Sequence, residues 1–330
     1  FVKSLFLIEN LPGSTVIVGK LHLVFWIALT AGIAFRLLTP RIKDHAARAA
    51  WIVVFAAAVF CAQDVARHLD RPFKMTALDV GQGDAIYFEF PKGGNLLIDS
   101  GKGGDSDQGR WVVAPFLKSK GVRVIDTLVI SHPQEDHIGG MSTILDEFNV
   151  RRILEPDRPY DSKLYGRLKR KMKEERAQLV PADADGRLEG YKDVDVLILN
   201  PDHEAKPHKD INDESVVLRI TYGRTSFLLT GDIEEAAARD ILSREKSLEA
   251  DVLKVPHHGA KLGAEGELFV KAVSPKVSVI SVGERNPYHH PSPKTLAALG
   301  AIPGNLIYRT DLSGAIEIVS DGSSVKVSSK

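Results

Sequence analysis

The stretch Ser131-His132-Pro133-Gln134-Glu135-Asp136-His137-Ile138-Gly139-Gly140 decides how this chain is read. It follows directly on the apolar run 127–130, which predicts a buried strand. Two imidazoles and a carboxylate therefore crowd one loop at a strand end. Imidazole nitrogens and carboxylate oxygens are ligands for zinc or manganese. Neighbouring loop residues point in different directions, so Asp136 and His137 can converge on one cation while His132 approaches another. Gly139 and Gly140 are expected to let the loop turn sharply into a following helix. A polar surface loop with incidental histidines is the bland alternative, and the recurrence of the pattern downstream argues against it.

The apolar run 226–230 ends in Gly231-Asp232. A carboxylate at a strand end can bridge two cations with its two oxygens, although a strand-end Asp is also an ordinary helix N-cap. The run 252–255 ends in Pro256-His257-His258-Gly259. One of these histidines can ligate metal while the other, or Lys254, contacts an anionic substrate. The alternative is a neutral hydrogen-bonded pair. Asp79-Val80-Gly81-Gln82-Gly83-Asp84 is a glycine-rich turn between two strands. Asp84 there can hold a ligand histidine in the right tautomer from behind. Asn286-Pro287-Tyr288-His289-His290-Pro291 follows another apolar run. It offers His290 as a general acid or a substrate contact, or else is an ordinary proline-rich turn. In layered α/β domains ligand sites gather at strand ends, so these loops point to one site.

Outward from these loops the pattern is of short strands with interleaved helices. Strands are expected at 75–80, 85–90, 95–98, 127–130, 195–199, 215–221, 226–230, 252–255, 277–282, 305–308 and 315–319. Helices are expected at 112–120, 163–178, 234–244, 266–272 and 293–299. This alternation is that of a layered α/β domain. The 330 residues suffice for about two domains, and Cys61, the single cysteine, rules out an intrachain disulfide. The 43 basic and 43 acidic side chains cancel. A dedicated nucleic-acid binder usually carries a basic excess, so tight non-specific binding by the whole chain is disfavoured. A substrate that meets its charge partner at a bound metal is not.

Composition shifts near residue 74, giving a segment 1–73 and a domain 74–330. The runs 21–35 and 49–63 carry no formal charge and no polar stripe, unlike a surface helix. Each is shorter than the roughly 20 residues that cross a bilayer, but flanking Lys20, Arg36 and Arg48 can snorkel. Two transmembrane helices are expected, at 16–38 and 46–63. The connector holds Arg36, Arg41, Lys43 and Arg48 against Asp44. By the positive-inside rule it faces the cytoplasm, which places everything after Gln63 on the extracytoplasmic side. The chain starts at Phe1 without a signal-peptide pattern and reads as part of a longer protein.

With these motifs in view the sequence resembles the metallo-β-lactamase superfamily, and within it the C-terminal domain of the ComEC family of competence DNA-uptake proteins. The similarity runs from about Met75 to the end of the chain. It is carried by L-D-V-G-Q-G-D-A at 78–85, I-D-S-G at 98–101 and S-H-P-Q-E-D-H-I-G-G at 131–140. L-T-G-D at 229–232, L-K-V-P-H-H-G at 253–259 and N-P-Y-H-H-P at 286–291 complete it. The resemblance implies a four-layer αβ/βα sandwich with a metal site at one edge. It makes His132, Asp136, His137, Asp232 and His258 metal ligands and Asp84 a supporting partner. It implies metal-assisted hydrolysis of DNA, in which Asp136 or Asp232 orients the nucleophile and Lys254, His257 or His290 steadies the phosphate or protonates the leaving oxygen. It also implies the cytoplasmic membrane of a bacterium as location and the DNA-uptake machinery as partner. Two positions depart from the superfamily pattern. Gln134 stands where His or Asp is usual, and 212–216 reads Asn-Asp-Glu-Ser-Val where many members carry another ligand histidine. Both fall on the same cation, so one firm metal site and one weak or absent one are expected. A catalytically weak DNA-binding or gating module, and a membrane-anchored hydrolase of another phosphoester, are the competing expectations.

Overall fold

Apolar residues alternate with polar ones along Phe73–Ala77 (β1) and run almost unbroken along Ile86–Glu89 (β2) and Asn95–Ile98 (β3), and these pair in sequence through short turns. The computed structural model describes residues 72–175 and 177–329, together with Ile33. Residues Arg71–Pro115 and Val124–Lys330 form one compact unit. Apart from Ile33, both expected membrane spans lie outside the described residues. Among the described residues, no helix is long and apolar enough to cross a membrane.

After β3 come a π-helical turn, Gly109–Val113, and helix α1 (Ala114–Ser119). Strand β4 (Val124–Val129) leads into helices α2 (Glu135–Ile138) and α3 (Met141–Glu147). Then follow β5 (Asn149–Glu155), α4 (Lys163–Glu174), β6 (Gln178–Pro181) and β7 (Val194–Asn200). The hairpin β8 (Val217–Tyr222) and β9 (Thr225–Leu229) precedes α5 (Glu235–Arg244), β10 (Val252–Lys254) and α6 (Ala264–Val273). The chain continues with β11 (Val277–Ile280), α7 (Pro293–Gly300), β12 (Leu306–Arg309), α8 (Thr310–Ser313), β13 (Ile316–Ser320) and β14 (Val325–Ser329).

Eight strands form one sheet in the order β14-β13-β1-β2-β3-β4-β5-β6, and six form a second in the order β12-β11-β10-β9-β8-β7. Their inner faces share one core, in which Phe73, Phe88 and Ile318 of the first sheet meet Phe227, Leu229 and Val279 of the second. Phe73 is its hub, with ring centroids 4.9 Å from Phe227 and 5.3 Å from Tyr222. A separate apolar layer binds α5, α6 and α7 to the outer face of the six-stranded sheet. On the eight-stranded side α3 packs on α4, and Tyr165 of α4 donates to Glu155 at the end of β5 at 2.8 Å. The result is the helix–sheet–sheet–helix sandwich that the motifs imply.

The expected strands and helices occur with ends shifted by a few residues, the usual uncertainty at an element's edge. Helix 112–120 splits into the π-helical turn and α1. Strands β5, β6 and β14 and helix α3 carry no clear sequence signal. β5 mixes Arg151 and Arg152 into its exposed half, and β6 is a four-residue edge strand.

Candidate metal centre

The motif loops leave β3, β4, β9, β10 and β11 at the same end of the two sheets. Gly139 and Gly140 fit the loop for a reason other than turning. Both have ordinary helical dihedrals. A Cβ on Gly139 would lie 2.0 Å from Gly103 N, and one on Gly140 would lie 2.4 Å from Gly109 N. They are needed so that backbone can pass against backbone. Gly83 lets the loop before β2 touch the same segment, since a Cβ there would lie 2.1 Å from the carbonyl oxygen of Asp136.

The site centres on Asp232, whose Oδ2 faces four imidazole nitrogens. His137 Nε2 and His258 Nε2 stand 3.3 Å away, His257 Nε2 3.9 Å and His132 Nε2 4.0 Å. Asp136 Oδ2 lies 3.6 Å from His258 Nε2. Atoms bound at about 2.1 Å to a shared tetrahedral ion stand roughly 3–4 Å apart, so this spacing is that of a ligand set. Among the described residues, four overlapping groups offer ligand atoms within 4.8 Å of one another: His132 with His137 and Asp232, Asp136 with His137 and His258, Asp84 with Asp232 and His258, and Asp84 with Asp99 and His137. His132 Nε2, His258 Nε2 and Asp232 Oδ1 are buried and have no hydrogen-bond partner among the described residues. Buried polar atoms are rarely left so, and divalent metal bound among them would satisfy such atoms.

The Nδ1 atoms show how the rings are aimed. His137 Nδ1 sits 2.7 Å from Asp99 Oδ2, and His258 Nδ1 donates to the Ser281 carbonyl at 2.9 Å. His132 Nδ1 is 3.1 Å from Ser131 Oγ. Each ring thus has its second nitrogen fixed by a partner and presents Nε2 to the centre, the usual support of a metal-ligating histidine. Asp99 is wholly buried and also accepts from Ser131 N at 2.9 Å and Ser131 Oγ at 2.5 Å. No sequence signal gave it this role, although Asp99 is the acid of the I-D-S-G motif that follows β3.

Asp84, expected to steady a histidine, does something else. Its oxygens are 3.8 Å from His258 Nδ1 and 3.9 Å from His137 Nδ1, beyond hydrogen-bond reach. It pairs instead with Lys254 Nζ at 2.5 Å. Lys254, expected at the substrate, is sealed from solvent. Its ammonium donates to the Gly231 carbonyl at 3.1 Å and lies 3.6 Å from Asp232 Oδ1. Strand β10 lies between β9 and β11 and is covered on both faces, so a lysine in it needs an acidic partner inside.

Electrostatics follow from these contacts. Burial works against the Asp232 carboxylate, but His258, His137 and Lys254 hold it well below the usual range. Burial likewise opposes charge on His258, yet Asp232 and Asp136 push it up to about 9. His132 is lowered to about 3 by burial and by neighbouring His137, which leaves it a neutral imidazole. Burial opposes charge on Lys254 too, but Asp84 and Asp232 raise it.

A second group of polar side chains is linked through His257. Gln134 Nε2 donates to Asn212 Oδ1 at 2.6 Å, and Asn212 Nδ2 to Glu234 Oε1 at 3.3 Å. The same Glu234 oxygen is 2.9 Å from His257 Nδ1. His257 and His258 hold the left-handed backbone region, with φ of 47° and 53°. This conformation is uncommon for histidine, and it aims two successive rings at one carboxylate. His290 is half-buried, its ring centroid 5.8 Å from that of His257. Burial and His257 lower its pKa.

The sequence model of the metallo-beta-lactamase superfamily matches residues 78–284, which hold all of these loops except the last. The chain belongs to that superfamily. Competence proteins are among its curated relatives. ComE operon protein 3 of Bacillus subtilis is 33% identical over 257 residues, 73% of this chain and 32% of that protein. Competence protein ComA of Neisseria gonorrhoeae is 30% identical over 244 residues, 74% of this chain and 32% of that protein. Recombination protein 2 of Haemophilus influenzae is 31% identical over 256 residues, 76% of this chain and 29% of that protein. The chain therefore spans about a third of the length of these ComEC-like relatives. Among solved structures, the β-hydroxylase CmlA has a TM-score of 0.50 at 15% identity, covering 92% of this chain and 61% of that one, a likeness of fold.

Proposed function

We propose that this domain is a metal-dependent phosphodiesterase that cleaves DNA, the nuclease part of a membrane DNA-uptake protein. One observation carries the hydrolase part of this reading: buried, unpartnered Nε2 atoms of His132 and His258 converge on the Asp232 carboxylate. The choice of DNA rests on the relatives, whose names speak of competence and recombination. The membrane location, with the domain on the extracytoplasmic side and other uptake proteins as partners, rests on the charge pattern of residues 36–48 and on the resemblance.

Asp136, His137, Asp232 and His258 would hold the firm cation, manganese or zinc. His132 would serve a second, weak site that lacks an anionic or imidazole ligand at Gln134. Metal held at the firm site would supply Lewis-acid chemistry, lowering the pKa of a water toward neutrality and polarising a phosphoryl oxygen. Asp136 is partly exposed and points an oxygen into the centre, so it and Asp232 orient the nucleophile. His257 and His290 stand at the open edge, where they can steady the phosphate or protonate the leaving oxygen. Lys254 acts from beneath, balancing Asp84 and Asp232.

A second reading is a DNA-binding or gating module with little catalysis. The Gln134–Asn212 hydrogen bond favours it, because it engages the side chain that would complete the second site.

Metal content and cleavage of single-stranded DNA, measured on one preparation of the whole chain with manganese, zinc and chelator, test the choice. Chelator-sensitive cleavage is expected. Binding of the strand without cleavage under every metal would move the conclusion to the gating module.

A further inference from the structure

The last motif loop places an exposed aromatic ring in line with the site. Tyr288 is 63% exposed. Its ring lies nearly parallel to that of His290, with centroids 5.7 Å apart and planes at 22°. His290 in turn stands edge-on to His257 at 5.8 Å, and His257 Nε2 is 3.9 Å from Asp232 Oδ2. A column of three rings thus runs from solvent to the carboxylate at the centre of the metal cluster.

The loop that carries the column is pinned. Asn286 Nδ2 donates to the carbonyls of Gly283 at 2.9 Å and His290 at 2.8 Å, and Asn286 Oδ1 accepts from His290 N at 2.8 Å. Ser292 N donates to the Gly259 carbonyl at 2.8 Å, tying the loop to the turn that bears His257 and His258. A single exposed aromatic is ordinary on a protein surface. One held in a fixed loop, stacked on a ring of the site, is a preorganised contact surface that loses little freedom on binding.

We infer that Tyr288 is a stacking platform for a nucleobase of a single strand whose phosphate lies at the metal centre. The inference rests on the nuclease reading for the identity of the substrate. Charge supports it from another side. The chain has no net charge, so no overall basic excess holds a strand and counterion release is left to local contacts. Base–aromatic stacking tolerates any sequence and contributes about 1–3 kcal/mol per base. Arg285 and His289, exposed on the same loop, can meet the flanking phosphates.

The test uses the whole chain and its Tyr288→Ala, Tyr288→Phe and Tyr288→Trp variants. Fluorescence anisotropy follows binding of a labelled thymidine oligomer, and of an abasic oligomer of equal length, in the presence of chelator. Tyr288→Ala is expected to weaken the thymidine strand about tenfold, within the range of a lost stack, and to leave the abasic strand unchanged. Tyr288→Phe and Tyr288→Trp should restore binding, because the ring and not the hydroxyl makes the contact. Equal loss on both strands, no loss on either, or no binding of either strand by the unaltered chain would overturn the platform. With manganese present, cleavage that ignores position 288 sinks the platform alone. Base-dependent binding without cleavage under any metal sinks the nuclease reading and leaves the platform standing.

Discussion

The two sides of Asp232 are built on different principles. On one side Asp136, His137 and His258 converge, and the His137 and His258 rings are fixed from behind by Asp99 and the Ser281 carbonyl. On the other side Gln134, Asn212, Glu234 and His257 are linked to one another in a chain of polar contacts. Buried atoms without a hydrogen-bond partner occur on both sides, His258 Nε2 on the first and His132 Nε2 on the second, but Gln134, Asn212 and Glu234 of the second are tied to one another. Ligand number is therefore not the sole difference. A set of donors with nothing else to bind is held ready for metal, whereas donors bonded to one another must first give up those bonds.

The largest effect is expected where both sides meet. Asp232→Ala removes the carboxylate that faces four imidazoles, and metal uptake and hydrolysis should fall to background. Measured metal content that survives this change would show that the two sides do not share Asp232. Asp99→Asn keeps a hydrogen-bonding group of the same size behind His137 but removes the charge. Loss of such a supporting carboxylate costs about 10- to 100-fold in metal affinity, which calorimetric titration with manganese would read. An unchanged affinity would mean that His137 is aimed by packing alone.

Acidity separates the sides next. In the metal-free fold His258 rises from 6.5 to about 9. Its protonated form therefore stabilises the metal-free fold fully below pH 6.5, and that contribution is lost as pH rises through 9. A cation needs the same nitrogen bare, so metal binding displaces a proton across that window. Manganese affinity should rise by up to about tenfold per pH unit for each proton displaced. The gain in melting temperature on adding manganese should widen over the same range. A gain independent of pH would show that His258 is not displaced by metal.

Gln134→His tests whether the neutral side is one ligand short. Its metal content should rise from about one toward two per chain, because imidazole binds where an amide oxygen is a poor donor. An unchanged content would place the limit in the Asn212–Glu234 link instead.

The sequence was informative wherever a strand ended in a chemical loop. Runs such as 127–130, 226–230 and 252–255 are apolar because their strands are covered on both faces, and the residues just beyond them form the site. The five residues given as ligands by the resemblance do come together. What stayed illegible depended on packing between distant segments. Asp99 looked like the end of a strand, because its partners, Ser131 and His137, lie over thirty residues away. Lys254 looked like a substrate contact, because nothing local says that β10 is central, or that Asp84 waits beside it. Gly139 and Gly140 were read as a turn, when the constraint is the backbone of Gly103 and Gly109 passing against them.

The smallest expected effect concerns Glu234, which no motif marked. Its carboxylate is partly exposed and joins Asn212 to His257, and the His257 and Asn212 contacts together lower its pKa against the cost of burial. Glu234→Gln keeps the shape and a hydrogen bond to either neighbour. Stability should change by no more than about 0.5 kcal/mol, as at most surface positions, and metal content should not change at all. What should change is the orientation of His257, which already bears a strained backbone. If His257 works at the open edge, kcat falls a few-fold while the KM for the strand is kept, and Glu234→Asp, which retains the charge, recovers part of it. If metal content falls instead, His257 is a ligand, and the hydrogen-bonded side of Asp232 is a second metal site after all.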